Sequence, residues 1–127
     1  MASDLATRIQ KLMDDPYFSK QFQELVDICH ETAVEKGWHN PTKSFGEQLL
    51  LFHSEISEAL EEFRSGHAPH TVYEKNGKPE GIPIEFADLS IRMMDTCGLY
   101  DINLLQFILT KMMYNLTREY RHGGKVI

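Results

Sequence analysis

Glu55 and Glu58 stand three residues apart in HSEISEALEEF, and Glu85 and Asp88 repeat that spacing in PIEFADLSIRMMD. Residues three apart share one face of an α-helix, so each segment presents two carboxylates side by side. Like charges held that close repel unless a cation lies between them. A ligand set made only of oxygen favours a hard divalent ion, which points to Mg²⁺, with Mn²⁺ as a substitute. Glu55, Glu58, Glu85 and Asp88 are therefore expected to hold metal, and through it to carry any catalysis.

The elements that must position these residues read as helices almost throughout. A short first helix is expected over about 3–14 and a second over about 17–36. The second carries Phe18, Phe22, Leu25, Ile28 (or Cys29) and Thr32 at helical spacing, and Gly37 ends it. WHNPTK is a loop. Ser44 is placed to cap the third helix, with Glu47 three residues on completing a capping box, and that helix runs to about residue 65. Residues 66–81 form a long loop rich in Gly, Pro and His, in which VYEKNGKP could close a small hairpin on Asn76-Gly77. Loops of that length in a compact domain are usually functional or mobile. The fourth helix opens near Pro83 and stops at Gly98. Asp101 is expected to cap the fifth, which runs to about residue 120. The fold class implied is all-α, a bundle of about five helices.

On the third helix, Phe45, Leu49, Phe52, Ile56, Leu60 and Phe63 line one apolar stripe, expected to face the core. Glu55, Glu58 and Glu62 follow a stripe beside it, while Glu61 points further round. The pair bordering the core is thus Glu55/Glu58 rather than Glu58/Glu61. Glu62 could be a third ligand or a surface residue. The fourth helix is apolar on two sides, through Phe86, Leu89, Met93 and Cys97 and through Ile84, Ala87, Ile91 and Met94, so it is expected to be buried. Yet Glu85, Asp88, Arg92 and Asp95 share an arc roughly 80° wide. Charges on a buried helix need partners. Arg92 is expected to pair with Asp88 or Asp95.

The fifth helix offers the opposite sign. Lys111, Asn115 and Arg118 recur at helical spacing, and Arg121, His122, Gly123, Gly124 and Lys125 follow, a set suited to clamping phosphate. Trp38, beside a glycine in a loop, could plug a hinge or stack on a base. His39, His67 and His70 read as loop residues and His53 as structural, while His30 is open. The methionine pairs Met93/Met94 and Met112/Met113 read as core.

Composition bounds the partners. The 127 residues, 42% hydrophobic and 25% charged, suit one domain spanning 1–127. Nineteen acidic against 13 basic residues give a net charge of -6, which argues against general nucleic-acid binding. It leaves room for one phosphorylated small molecule held through metal. Cys29 and Cys97 read as buried free thiols. No apolar run approaches the roughly 18 residues of a membrane span. The N-terminal MASDLATRIQKLMDD has no signal-peptide core, so the cytoplasm is the expected location.

The segments together resemble the MazG-like all-α nucleoside triphosphate pyrophosphatases. The shared pattern is E-x-x-E, a spacer, then E-x-x-D; here 26 residues separate Glu58 from Glu85. The Gly-Trp before the third helix, LLLFHSEISEALEEFR, PIEFADLSIRMMD and YNLTREYRHGGK extend the likeness over about 22–125. The resemblance implies helical subunits that assemble as homodimers or homotetramers around four-helix-bundle cores. It also implies Mg²⁺-dependent hydrolysis of a (deoxy)nucleoside triphosphate to the monophosphate and pyrophosphate. Glu55, Glu58, Glu85 and Asp88 would then hold the metal, and Glu55 or Glu58 could take the proton of the attacking water. Lys111, Asn115, Arg118, Arg121 and Lys125 would be candidates for phosphate and sugar contacts, including contacts from a neighbouring subunit. In dCTP-preferring relatives an aromatic residue and a histidine ahead of the first motif meet the base; Trp38 and His30 are the nearest here, at slightly different spacing.

Two other readings remain open on sequence. One is a helical module that senses nucleotides without hydrolysing them, though it need not keep four carboxylates. The other is a phosphoribosyl-ATP pyrophosphatase, which shares the fold and much of the metal chemistry. A di-iron bundle would require Glu-x-x-His pairs, and no histidine follows Glu55 or Glu58 by three.

Overall fold

The computed structural model describes residues 2–120. It contains α1 (Ala2–Met13), α2 (Pro16–Glu35), α3 (Phe45–Arg64), β1 (Tyr73–Lys75), β2 (Lys78–Glu80), α4 (Ile82–Leu99) and α5 (Leu104–Asn115). The class is all-α with five helices, as the helical periodicity implied. None of the described helices is long and apolar enough to cross a membrane. The chain divides into two compact units, one from Val26 to Asp101 and the other made of the chain on either side of it.

In the flanking unit, α1 packs against α5. Ile9, Leu105 and Leu109 form its buried centre, with Phe18, Phe22, Met113 and Leu116 packed around them. The cap of α5 is Asn103, whose side chain accepts from the Gln106 amide at 3.2 Å, and not Asp101. Asp101 sits two residues earlier in the left-handed region at φ 55. The helix also ends at Asn115 rather than near residue 120. Beyond it the amides of Leu116, Thr117 and Arg118 bond only three residues back, and the Thr117 hydroxyl takes the Tyr114 carbonyl at 2.7 Å. A hydroxyl that competes for a helical carbonyl is a local alternative to another helical turn.

In the central unit, α3 packs on α4 and α4 meets β2. Ser44 caps α3 with the expected box: its hydroxyl accepts from Glu47 N at 3.2 Å, and Glu47 accepts from Ser44 N at 2.7 Å. The hairpin forms, antiparallel, with Tyr73 opposite Glu80. Asn76 and Gly77 both have positive φ, 54° and 80°, as a tight hairpin turn requires. At Gly81 (φ 127°) a Cβ would lie 2.3 Å from the Thr71 carbonyl oxygen, so only glycine lets β2 turn directly into α4.

The faces of α3 and α4 differ from expectation. The stripe of Phe45, Leu49, Ile56, Leu60 and Phe63 is exposed, while α3 buries Gln48, Glu55 and Ala59. On α4, Phe86 and Ile91 are exposed and Glu85, Asp95, Thr96 and Cys97 are buried. The fourth helix is therefore not buried all round, and its charged arc lies inward. The reason is that α3 and α4 meet through small and polar side chains, including a buried Thr96 hydroxyl that donates to Gln48 Oε1 at 3.5 Å. Cys29 and Cys97 are free and buried, as expected. Burial pushes both thiols up, with the charge of Asp95 adding to the effect at Cys29.

Candidate metal centre

The helical spacing of the two motifs carries through to three dimensions. One carboxylate oxygen each from Glu55, Glu58 and Glu85 lies within 4.8 Å of the others. Glu55 and Glu85 are buried, at 4% and 7% exposure, while Glu58 faces solvent. Glu55 Oε2 and Glu85 Oε2 are each buried with no hydrogen-bond donor. An acceptor left so costs about 1–3 kcal/mol, more when charged. Burial, then the adjacent carboxylates of Glu58 and Glu55, then the charge of Asp88, push Glu85 up to about 8. Asp88 is also raised, by burial first and the Glu55 charge second, with Arg92 opposing. It stands outside the tight group of three but lines the same cleft as Glu55 and Glu58.

That cleft, about 280 Å³, is walled by Trp38, Glu55, Glu58, Lys78, Asp88 and Arg92, beside Ile91. Arg92 donates from Nε to Glu55 Oε1 at 2.5 Å, so its partner is neither Asp88 nor Asp95. Arg92 extends from α4 to the facing helix instead of along its own. Trp38 is 43% exposed at the cleft wall. Its carbonyl accepts from Lys43 Nζ at 2.6 Å.

His30 is not among the residues lining this cleft. Its Nδ1 lies 2.9 Å from Asp95 Oδ1, and His39 Nε2 lies 2.9 and 3.0 Å from the two Asp95 oxygens. The buried Asp95 thus ties α2, the following turn and α4 together, and His39 is more than a loop residue. Gly98 permits this approach, since a Cβ there would come within 2.6 Å of His30 Cβ. His53 is exposed on α3. Asp95 was visible as a buried charge needing a partner. Which histidines answer it was not, because residues 30, 39 and 95 share no period.

The hairpin supplies residues that the sequence motifs omit. Tyr73 Oη donates to the Glu62 carboxylate, 2.9 Å from both oxygens. This bond is the main reason the Tyr73 hydroxyl is pushed up. His67 Nδ1 is 2.7 Å from Glu62 Oε2, a close approach without hydrogen-bond geometry. One oxygen each from Glu62, Glu80 and Glu85 again falls within 4.8 Å. The Asn76-Gly77 turn was the available signal, since it folds Glu80 back beside Tyr73.

Lys111, Asn115 and Arg118 belong to the flanking unit. Lys111 is exposed with Nζ 4.6 Å from the Tyr114 ring centroid, Asn115 is the last residue of α5, and Arg118 lies past the helix end. The helical face expected to run from Lys111 to Arg118 is therefore broken after Asn115. Arg121 and Lys125 fall outside the described residues.

Comparison with protein-family models, with curated proteins and with solved structures found no match to this chain.

Proposed function

We propose that this chain is a MazG-like, Mg²⁺-dependent nucleoside triphosphate pyrophosphohydrolase, releasing a (d)NMP and pyrophosphate in a cytoplasmic, nucleotide-pool role. The observation that carries the reading is the convergence of one oxygen each from Glu55, Glu58 and Glu85 beside the cleft that Glu55 and Glu58 line, with two buried oxygens that have no donor. Their oxygen-only chemistry fits a hard divalent cation better than zinc or iron. Glu55, Glu58, Glu85 and Asp88 would hold it, and a bound Mg²⁺ would neutralise phosphate charge and help orient the groups for in-line attack.

The chain's own residues then have separable tasks. Glu58, the most exposed of the three converging carboxylates, is the one placed to accept a proton from an attacking water. Trp38 offers a flat apolar face to a base at the wall of the same cleft. Arg92 and Lys78 are the cations lining that cleft, so they are the first positive groups available to a triphosphate entering it. Lys111, Asn115, Arg118, Arg121 and Lys125 are proposed contacts for phosphate and sugar. His30 acts through Asp95 rather than at the cleft. The exposed apolar stripe of α3 supports a homodimer or homotetramer, because monomers rarely leave so many large apolar side chains in water.

The test is incubation of the full chain with individual NTPs and dNTPs and Mg²⁺, with product identified by chromatography. Monophosphate and pyrophosphate in equal amounts are expected. Binding without any product would replace the reading with that of a nucleotide-sensing module.

A further inference from the structure

Asp95 is a buried charge on α4, 5% exposed, that the carboxylate centre does not use. It stands three residues after Arg92, on the helix that also carries Glu85 and Asp88. Its carboxylate takes His39 Nε2 at 2.9 and 3.0 Å and His30 Nδ1 at 2.9 Å. The His39 side chain is itself only 12% exposed. His39 directly follows Trp38, which lines the cleft with Glu55, Glu58, Asp88 and Arg92. The chain reaches Trp38 through a glycine-terminated helix end. Gly37 is left-handed at φ 75°, its amide bonds the Val34 carbonyl at 3.0 Å, and the Trp38 amide bonds the Ala33 carbonyl at 3.0 Å. The Trp38 carbonyl accepts from Lys43 Nζ. Those bonds fix the turn against α2 and against itself, whereas His39 fixes it against α4.

We propose that Asp95 and His39 are positioning residues for the nucleotide base. Their bond holds Trp38 at the cleft wall, so that its ring meets the base of a nucleotide whose phosphates lie on the carboxylate centre. The inference rests on the hydrolase reading for the stacking role of Trp38 and adds the device that sets it. Trp38 is 43% exposed, so much of its surface is free to meet a ligand. A ring in that position stacks well only when it is held before the ligand arrives, because ordering it on binding costs affinity. Asp95 supplies the hold through the next residue along the chain. The same helix carries Glu85 and Asp88, so the base wall and the metal ligands keep one spacing. Hydrogen bonds to an ionised acceptor are roughly twice as strong as neutral ones, which suits a carboxylate to this task. A carboxylate accepts, so His39 presents Nε2–H to it. A glutamine amide can present a donor from the same place, and alanine cannot.

Trp38 is the sole tryptophan of the chain, so intrinsic fluorescence reports on it alone. Its emission in the full chain is followed on mixing with dATP, dCTP, dGTP or dTTP in Mg²⁺, before turnover. Tripolyphosphate, which has the phosphates and no base, is titrated in parallel by calorimetry. At least one dNTP is expected to quench wild type. His39→Ala should raise the Kd for that dNTP about tenfold, within the range of losing one stacked base, and leave tripolyphosphate binding unchanged. His39→Gln, which keeps the donor, should recover most of the loss. Asp95→Asn should also weaken the dNTP alone, and it serves if His39→Ala fails to fold. Unchanged dNTP binding in both His39→Ala and Asp95→Asn would overturn the proposal. Equal losses for dNTP and tripolyphosphate would overturn it too, because the tie would then shape the whole cleft. Quenching without hydrolysis, with the same selective loss in the variants, would support the proposal while removing the hydrolase reading. Hydrolysis with Trp38 emission unmoved by every dNTP would overturn the proposal and leave the hydrolase reading standing.

Discussion

The α1–α5 pair and the α3–α4 pair are both helix packings, yet they spend their buried surface on opposite chemistry. The first closes on Ile9, Leu105 and Leu109. The second buries Gln48, Glu55, Glu85 and Thr96 beside Ala59, Ile82 and Cys97, and leaves Phe45, Leu49, Leu60 and Phe63 outside. Apolar burial stabilises at about 25 cal/mol per Å². Buried carboxylates without donors do the reverse. A fold that tolerates the second arrangement is giving up stability at one place, as functional sites commonly do.

Stability is expected to reside first in the apolar α1–α5 contact. Leu109→Ala removes a side chain only 5% exposed at the centre of the apolar cluster. It should cost about 3 kcal/mol in chemical denaturation. A loss under about 1 kcal/mol would mean that the α1–α5 contact contributes little.

A second prediction concerns the sign of the pH dependence between the two pairs. Glu85 is raised from 4.5 to about 8 in the folded chain. Between those values the unfolded chain has released a proton that the folded chain keeps, so stability falls as pH rises. Its contribution is fully present below about 4.5 and gone above about 8. In metal-free buffer, thermal midpoints should therefore be lower at pH 8 than at pH 5, and Glu85→Gln should flatten the difference. Mg²⁺ at a hundredfold excess over its Kd should restore about 2.7 kcal/mol at pH 8, and less at pH 5, where it must displace the proton. Equal Mg²⁺ effects at both pH values would contradict the linkage.

A smaller effect is expected at the seam of α2 and α4. Gly98→Ala drives a methyl into His30 and should cost about 2 kcal/mol. The cost should fall on the Asp95 tie, so histidine NMR signals of His30 and His39 should shift while those of His53 stay put. Unchanged signals would show that Gly98 is not what admits His30.

How much of this was readable beforehand divides along the same line. Helix number, the Ser44–Glu47 box and the i, i+3 carboxylate pairs depend on neighbours in sequence, and each is visible in the text of the chain. Which face of α3 turns inward was not. Hydrophobicity alone assigns Phe45 to Phe63 to the core, whereas close approach of α3 to α4 selects Gln48, Glu55 and Ala59. The Arg92–Glu55 bond and the Asp95 tie to His30 and His39 join residues 37, 65 and 56 positions apart, with no period to announce them. The end of α5 lies where the amides of Leu116, Thr117 and Arg118 bond three residues back, which apolar periodicity does not announce. Glu80 escaped notice because it belongs to a hairpin rather than to either motif.

The carboxylate centre is where the proposed chemistry resides. The most direct measurement is Mg²⁺-dependent pyrophosphate release from a preferred triphosphate, comparing wild type with Glu58→Ala. Glu58 is exposed, so its removal should leave the fold and its denaturation midpoint unchanged within about 0.5 kcal/mol. The rate should drop by at least about a hundredfold, the scale of losing a positioned acid–base group. A variant that folds normally and releases pyrophosphate at the wild-type rate would contradict the assignment.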